Sequence, residues 1–356
     1  MNKSFLKKYL STNSPSTYEV DGQKVWKEYL TPYVDEFITD NYGSLAAIIK
    51  GKTPEGENPY KVVIEAHSDE IGFLVNNITD DGLIYVKNNG GIDYSIVPGT
   101  HVNVMGSKGL VKGFFGWPPI HLNHGDDKKT PKEENVFIDL GVATKEDVIN
   151  LGIEIGDFVV YDRKPDITDR CVVSKSLDDK IGGFVIAEVA RQITSDGIKL
   201  PFDLYIVNAV QEEVGLRGAK MITESIKPNV AICIDVCHDT SNPLLDKKKV
   251  GDYKIGDGIV FSQAPAIHRN LLNLMKDVAK EHEIKYKMII SGGQTGTDTD
   301  MYTLSNGGVI SSLISIPVKY MHTPNEMAAM DDVKTAIKFY IELLKSIKYQ
   351  HDFKYF

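Results

Sequence analysis

Cysteine is scarce in this chain, which also has no long apolar run and no surplus of basic residues. Its three cysteines, Cys171, Cys233 and Cys237, are too few for a disulfide framework. No stretch approaches the roughly 20 apolar residues of a membrane span, and the lysine-rich opening segment does not resemble a signal peptide. The net charge of −9 argues against nucleic acid as a partner. We therefore expect a cytoplasmic protein that binds neither membranes nor nucleic acid.

The pattern of apolar residues changes twice along the 356 residues. A helical lead-in is followed by two runs, 44–50 and 60–66, which we interpret as paired strands. Residues 71–170 then hold 13 of the 30 glycines, and short alternating runs between glycine-containing turns predict a small β domain, a barrel or a sandwich. After Ser176, predicted strands alternate with predicted helices, as in an α/β fold.

The continuous apolar runs of the second half predict strands that are covered on both faces. These strands are Asp203–Val210, Val230–Asp235 and Val309–Ile316, and the predicted helices are Ile181–Ile193, Ala266–His282 and Asp332–Ile347. We therefore predict an α/β domain formed by residues 1–71 and 171–356, interrupted by a small β domain at 72–170. The two ends of the inserted domain then meet beside His67 and Asp178.

Imidazole and carboxylate side chains follow these runs. His67 ends one strand, the pair Glu212–Glu213 follows another, Asp235 a third, and His322 comes after the last. Ligands in open α/β sheets collect beyond the carboxyl ends of the strands, so this pattern predicts one metal site. Each signal also has an ordinary explanation, such as an acidic first helical turn for Glu212–Glu213 or a solvated loop for His322. Their joint occurrence favours the site.

A further acid, Asp178, stands just before a predicted helix and could serve as its N-cap. Two imidazoles with three or four carboxylates suit two divalent ions, zinc or cobalt with manganese as an alternative. A shared carboxylate would bridge the ions at about 3.5–4 Å, and a bridging hydroxide would be the nucleophile. Of two adjacent glutamates, one can bind metal while the other accepts the proton of the water. Asp69 can orient His67.

These segments resemble the tetrahedral aminopeptidase family of dinuclear metallopeptidases, which includes glutamyl and leucyl aminopeptidases and members named cellulase or endoglucanase. The matching stretches fall in family order across nearly the whole chain; they are Ala66–Gly72, Ser176–Lys180, Gln211–Ala219, Asp235 and Tyr320–Glu326. The resemblance implies a three-layer, zinc-exopeptidase-like α/β domain with an inserted β-barrel. It also implies assembly into homo-oligomers, including tetrahedral dodecamers.

The resemblance also assigns roles to residues. It implies that the metal ligands, with Asp178 bridging, are His67, Asp178, Glu213, Asp235 and His322. It implies Glu212 as the general base and Asp69 as the residue that orients His67. The expected activity is that of an aminopeptidase, which releases residues from peptides with a free N-terminus through attack by a metal-bridging hydroxide.

Two stretches depart from the family. The Gly-Gly-Thr-Asp loop of the family is replaced by the longer segment 292–300, in which we align Asp298 with the family aspartate. This departure leaves the side-chain preference open. The run Cys237–His238 after Asp235 also differs from the family. His238 and His124 are interpreted as histidines that do not bind metal. Thiolate ligation by Cys233 or Cys237 stays as an alternative.

Two other activities stay as alternatives. A metal-dependent deacylase of N-acyl amino acids would need a cation for the substrate carboxylate, for which Arg217 is the one candidate. A polysaccharide hydrolase would use two carboxylates and would leave the histidine motifs without a role.

Overall fold

The computed structural model describes residues 1–125 and 128–356, which form a large mixed sheet and a closed barrel. The strands in chain order are β1 (Glu36–Thr39), β2 (Leu45–Ile49), β3 (Lys61–His67), β4 (Gly72–Ile78), β5 (Ile84–Asn89), β6 (His101–Gly106), β7 (Gly109–Gly116), β8 (Phe137–Asp139), β9 (Phe158–Tyr161), β10 (Asp166–Ile167), β11 (Cys171–Ser174), β12 (Asp203–Ala209), β13 (Val230–His238), β14 (Ile259–Gln263), β15 (Tyr286–Ile290), β16 (Ile310–Lys319) and β17 (Glu326–Ala329).

The helices alternate with the later strands, as the sequence predicts. They are α1 (Lys3–Leu10), α2 (Val20–Leu30), α3 (Lys145–Asn150), α4 (Leu177–Ser195), α5 (Arg217–Ile226), α6 (Lys247–Val250), α7 (Arg269–Glu281), α8 (Thr299–Leu304) and α9 (Met330–Ser346). Helices α4 and α9 pack together on one face of the large sheet, and α5 and α8 pack together on the other. Within the described residues, no helix has the length and apolar character needed to span a bilayer.

The centre of the large sheet consists of four parallel strands in the order β12, β3, β13, β16. Their side chains are buried on both faces, with Val62, Val63 and Ile64 of β3 fully inaccessible. Continuous burial explains the unbroken apolar runs of the sequence. Because the four strands are parallel, their carboxyl ends lie at one edge of the sheet.

The expected pairing of the two N-terminal strands is wrong. Strands β2 and β3 do not neighbour each other, because β12 lies between them, antiparallel to β2 and parallel to β3. Both short runs are strands, but their partner comes from more than 130 residues further along the chain.

The barrel comprises β4 to β9, in the order β4-β5-β8-β7-β6-β9, with β9 closing on β4. It has a core of its own, centred on Phe73, Val104 and Phe115. The chain enters the barrel five residues after His67 and returns to the large sheet through β10 and β11. The division at 72–170 stays a prediction, and β10, inside that range, already pairs in the large sheet. The α/β fold with an inserted barrel is confirmed.

Candidate metal centre

The acids and histidines singled out by the sequence lie together at the carboxyl edge of the parallel strands. His67 is the last residue of β3, Glu212 and Glu213 occupy the turn after β12, and His322 follows β16. Asp235 is not at a strand end, because β13 continues to His238. Its position within the strand still brings its carboxylate to His67, with 3.9 Å between Asp235 Oδ1 and His67 Nε2.

Asp178 lies between the two histidines. Its Oδ1 is 3.0 Å from His67 Nε2, and its Oδ2 is 3.2 Å from His322 Nε2. The residue is not an N-cap: it lies inside the first turn of α4 with non-helical dihedral angles (φ −73°, ψ 107°). The carboxylate of Asp179 accepts the backbone N–H of Gly182 instead. Asp178 thus presents one oxygen to each histidine.

Two donor groups share Asp178. One comprises His67, Asp178 and Asp235, and the other comprises Asp178, Glu213 and His322. Within each group the ligand atoms lie within 4.8 Å of one another. Glu213 joins the second group through its Oε1, which is 3.4 Å from His322 Nε2. Imidazole nitrogens and carboxylate oxygens are suitable donors for divalent metals, so this arrangement fits divalent ions.

The side chain of Asp69 connects the two halves of the site. Its Oδ1 is 3.4 Å from His67 Nδ1 and accepts the backbone N–H of Glu212 at 3.0 Å. Its Oδ2 accepts the backbone N–H of Glu213 at 3.2 Å and the hydroxyl of Ser16 at 2.7 Å. Asp69 therefore fixes the turn that carries both glutamates, and it also faces the ring of His67.

Two groups that sequence reasoning missed hold His322. The ring Nδ1 donates to the backbone carbonyl of Gly91, in the barrel, at 3.0 Å, which leaves Nε2 facing Asp178 and Glu213. The buried carboxylate of Glu326 accepts the backbone N–H of His322 at 2.8 Å and that of Asp178 at 3.1 Å. Glu326 is the last residue of the stretch Tyr320–Glu326, which the sequence analysis matched to the family. By contrast, no residue type near Gly91 indicated that its backbone carbonyl would contact His322.

Burial makes the carboxylates of the site costly to keep charged. Burial, with the neighbouring acids, raises the pKa of Glu212, of Glu213 and of Asp235. For Asp178, burial acts in the same direction, but hydrogen bonds and charges from His322 and His67 outweigh it and hold the pKa well below its usual range. A divalent cation offsets the repulsion among such acids, which is a second reason why the donor set fits metal.

The other candidate ligands lie outside these groups. Among the residues that the structure describes, no group of potential metal donors includes a cysteine, His124 or His238. Cys233 and Cys237 are buried and unpaired, while His124 is exposed. The loop that departs from the family does border the site: Thr295, Gly296 and Thr297 line the adjoining cavity. Asp298, the residue that we aligned with the family aspartate, is buried.

A mixed sheet with four parallel central strands and an inserted barrel, carrying two histidine–carboxylate groups that share one aspartate, is the arrangement of a metal-dependent hydrolase. Residues 43–339 match the M42 glutamyl aminopeptidase family, and the chain belongs to that family. The resemblance found in the sequence is thereby confirmed, as is the assignment to enzymes that act on peptides.

Individual relatives agree along the whole chain. The lysyl aminopeptidase of Pyrococcus furiosus is 31% identical over 349 residues, which cover 96% of each protein. The TET aminopeptidase of the marine sediment archaeon Thaumarchaeota archaeon SCGC AB-539-E09 superposes with a TM-score of 0.92 at 29% identity, covering 98% of this chain and 97% of that one. The TET1 peptidase of Pyrococcus horikoshii superposes with a TM-score of 0.84 at 27% identity, covering 97% and 99%.

Proposed function

We propose that the protein is a dinuclear metal-dependent aminopeptidase that releases single residues from the free N-termini of peptides. The observation that carries the proposal is the position of Asp178, whose two oxygens face His67 and His322 separately. His67 and Asp235 would hold one divalent ion, and Glu213 and His322 the other, with Asp178 shared between them. Zinc or cobalt suits these donors, with manganese as an alternative.

Bound ions would polarise the substrate carbonyl and lower the pKa of the attacking water. Glu212 would then remove the proton of that water and deliver it to the leaving amine. Glu212 lines the cavity and belongs to neither of the two donor groups that share Asp178, although its carboxylate also lies within 4.8 Å of donor atoms of His67 and Glu213. The backbone N–H of Glu212 donates a hydrogen bond to Asp69, and this bond fixes the position of the Glu212 Cα atom. Asp69 would act by orienting His67 and this turn.

The acids of the site favour a cationic amine over an acyl cap at the substrate N-terminus. The proposal therefore requires that blocking the amine abolishes cleavage. A short peptide and its N-acetylated twin should be compared under identical metal conditions, after chelation and metal add-back. Cleavage of the free peptide alone is expected, and equal rates on both peptides would contradict aminopeptidase action.

The two alternative activities receive less support from the site. A deacylase of N-acyl amino acids needs a cation for the substrate carboxylate, yet the described residues around the cavity include neither lysine nor arginine. Arg217 begins α5 and does not line the cavity. A polysaccharide hydrolase would leave His67 and His322 without a role.

We also propose a cytoplasmic homo-oligomer, with a tetrahedral dodecamer as the candidate assembly. The TET1 peptidase of Pyrococcus horikoshii can assemble into a tetrahedron or a large octahedral shell, and it is similar to this chain over nearly its full length. The three unpaired cysteines suit a reducing compartment. Peptides are the proposed substrates, and the net charge of −9 argues against nucleic acid as a partner.

A further inference from the structure

The cavity beside the metal centre has a volume of about 300 Å³, which is within the range of small-molecule sites. It begins at Asp178, Glu212 and His322 and continues between β13, β14, β15 and β16. We call the part beyond the metal-centre acids and histidines the side-chain cavity. A substrate whose first peptide bond lies at the metal centre has this space for the side chain of its first residue.

Part of the lining of the side-chain cavity is apolar. Ile289 of β15, Leu313 of β16 and Met321 after β16 contribute to its wall. Leu313 is almost fully buried, so its position is set by packing rather than by solvent. Apolar wall atoms favour an aliphatic substrate side chain, because contact removes apolar surface from water.

Most of the polar lining is uncharged. Apart from His238, its polar side chains are hydroxyl groups, on β14 and β16 at Ser262 and Ser315 and on the loop at Thr295 and Thr297. These groups can donate or accept hydrogen bonds but cannot neutralise a charge. An ammonium or a carboxylate placed among them would lose its hydration without gaining an opposite charge.

The nearby acids of the loop do not line the cavity. Asp300 accepts hydrogen bonds from the backbone N–H groups of Thr295 and Gly296, at 3.2 Å and 3.0 Å. These bonds fix the loop, but the Asp300 side chain is not part of the cavity lining. Asp298 is buried, with 3% of its surface exposed. The exposed imidazole of His238 also lies in the lining of the side-chain cavity.

We infer that the side-chain cavity selects an uncharged, aliphatic residue at the substrate N-terminus and rejects lysine, arginine, glutamate and aspartate. The inference rests on the proposed aminopeptidase function and narrows it. It separates this chain from the relative named lysyl aminopeptidase and from the glutamyl activity in the name of the family. Discrimination against a charged side chain should reach on the order of tenfold or more in kcat/KM.

The test is a panel of amino-acid anilides hydrolysed by the metal-loaded enzyme at one pH and one metal concentration. The leucyl and methionyl anilides should have the highest kcat/KM, at least about tenfold above the lysyl and glutamyl anilides. Faster cleavage of a lysyl or glutamyl anilide would overturn this inference and leave the aminopeptidase function standing. Cleavage of none of the anilides would overturn both.

A pair of variants tests whether the lining of the side-chain cavity determines which substrate side chain is preferred. Ile289→Lys adds a cation to the lining and should raise the ratio of glutamyl to leucyl kcat/KM by about tenfold, because a carboxylate then finds an opposite charge. Ile290→Lys is the matched control: Ile290 is 71% exposed on the same strand, its side chain points the other way, and the ratio should not change. Metal content and thermal midpoint should be measured for both variants. An unchanged ratio in a folded, metal-loaded Ile289→Lys enzyme would overturn the inference.

Discussion

At the scale of single residues, the two adjacent glutamates differ in what surrounds them. Glu213 Oε1 is 3.4 Å from His322 Nε2, whereas Glu212 belongs to neither donor group that shares Asp178 and is grouped only with His67 and Glu213. We expect Glu212→Gln to keep bound metal and to lower kcat by ~10²–10⁴, the usual contribution of a positioned general base. Glu213→Gln should mainly weaken metal binding. Metal analysis and kcat on the same preparations check both, and loss of metal from Glu212→Gln would reverse the two roles.

The shared carboxylate of Asp178 predicts a stoichiometry. The wild-type chain should bind two divalent ions, and Asp178→Asn should bind fewer, because an amide is a poorer bridging ligand than a carboxylate. Asp196→Asn is the control, since Asp196 is an exposed residue at the other end of α4. Elemental analysis of dialysed protein gives the count. Full activity at one ion per chain would rule out a bridging role for Asp178.

At the scale of structural elements, the inserted β domain contacts the candidate metal centre through Gly91, which follows β5. A Cβ atom added there would lie 3.0 Å from Nδ1 and 3.2 Å from Cε1 of His322, so Gly91→Ala should displace the ring. We expect a 10–100-fold loss of metal affinity, the usual cost of disturbing a group that orients a ligand. Competition with a chromogenic chelator measures the affinity. Gly292→Ala is the control because its Cβ would meet no atom within 4 Å; equal affinities in the two variants would show that the contact is dispensable.

A buried ion cluster joins the N-terminal segment to the start of α4. Glu70 accepts hydrogen bonds from Lys175 at 2.6 Å, from Lys180 at 3.1 Å and from the backbone N–H of Ser14 at 2.8 Å. Burial alone would raise the pKa of Glu70, but the two lysines outweigh burial and hold the pKa at about 2. The carboxylate is therefore charged at neutral pH.

Removing this charge would leave two buried ammonium groups without their partner. Glu70→Gln should lower the free energy of unfolding by about 3–5 kcal/mol, the usual cost of breaking a buried ion pair. The control is Glu36→Gln, which removes a half-exposed partner of Lys50 and should cost ~0–1 kcal/mol. Urea denaturation of both variants measures the difference. Similar losses would mean that the cluster does not tie these elements together.

The elements show what the sequence could and could not predict. Strands β3, β12 and β13 were recognisable because burial on both faces leaves an unbroken apolar run, and the acids and histidines beside them followed from the shared edge of parallel strands. The placement of β12 between β2 and β3 was not recognisable, because strand pairing is decided by contacts between distant parts of the chain. The contact between His322 and the carbonyl of Gly91 could not be predicted for the same reason. In addition, every residue has a backbone carbonyl, so the residue type does not show which one takes part in the site.

At the scale of the whole molecule, the proposed assembly can be measured directly. Light scattering after size-exclusion chromatography should give a mass well above the 39.6 kDa of one chain, and twelve copies if the assembly is a tetrahedron. This expectation rests on the proposed assembly, which is supported by similarity to the TET1 peptidase of Pyrococcus horikoshii, a protein that can assemble into a tetrahedron or a large octahedral shell. A monomer at micromolar concentration would contradict this expectation.

The strand order also has a consequence for biosynthesis. Strand β16 lies in the middle of the large sheet, beside β13, yet it is the last of the four central parallel strands to be made. His322, the second histidine of the candidate metal centre, is made later still. A chain truncated after residue 309 should therefore show neither a cooperative thermal transition of the α/β domain nor tight metal binding, which calorimetry and metal titration would reveal; native-like melting of the α/β domain in that fragment would refute the idea. A nascent chain thus lacks one of the proposed metal ligands until β16 and the segment after it have been translated, so an enzyme proposed to trim N-termini would become active only after its central strands have all been made.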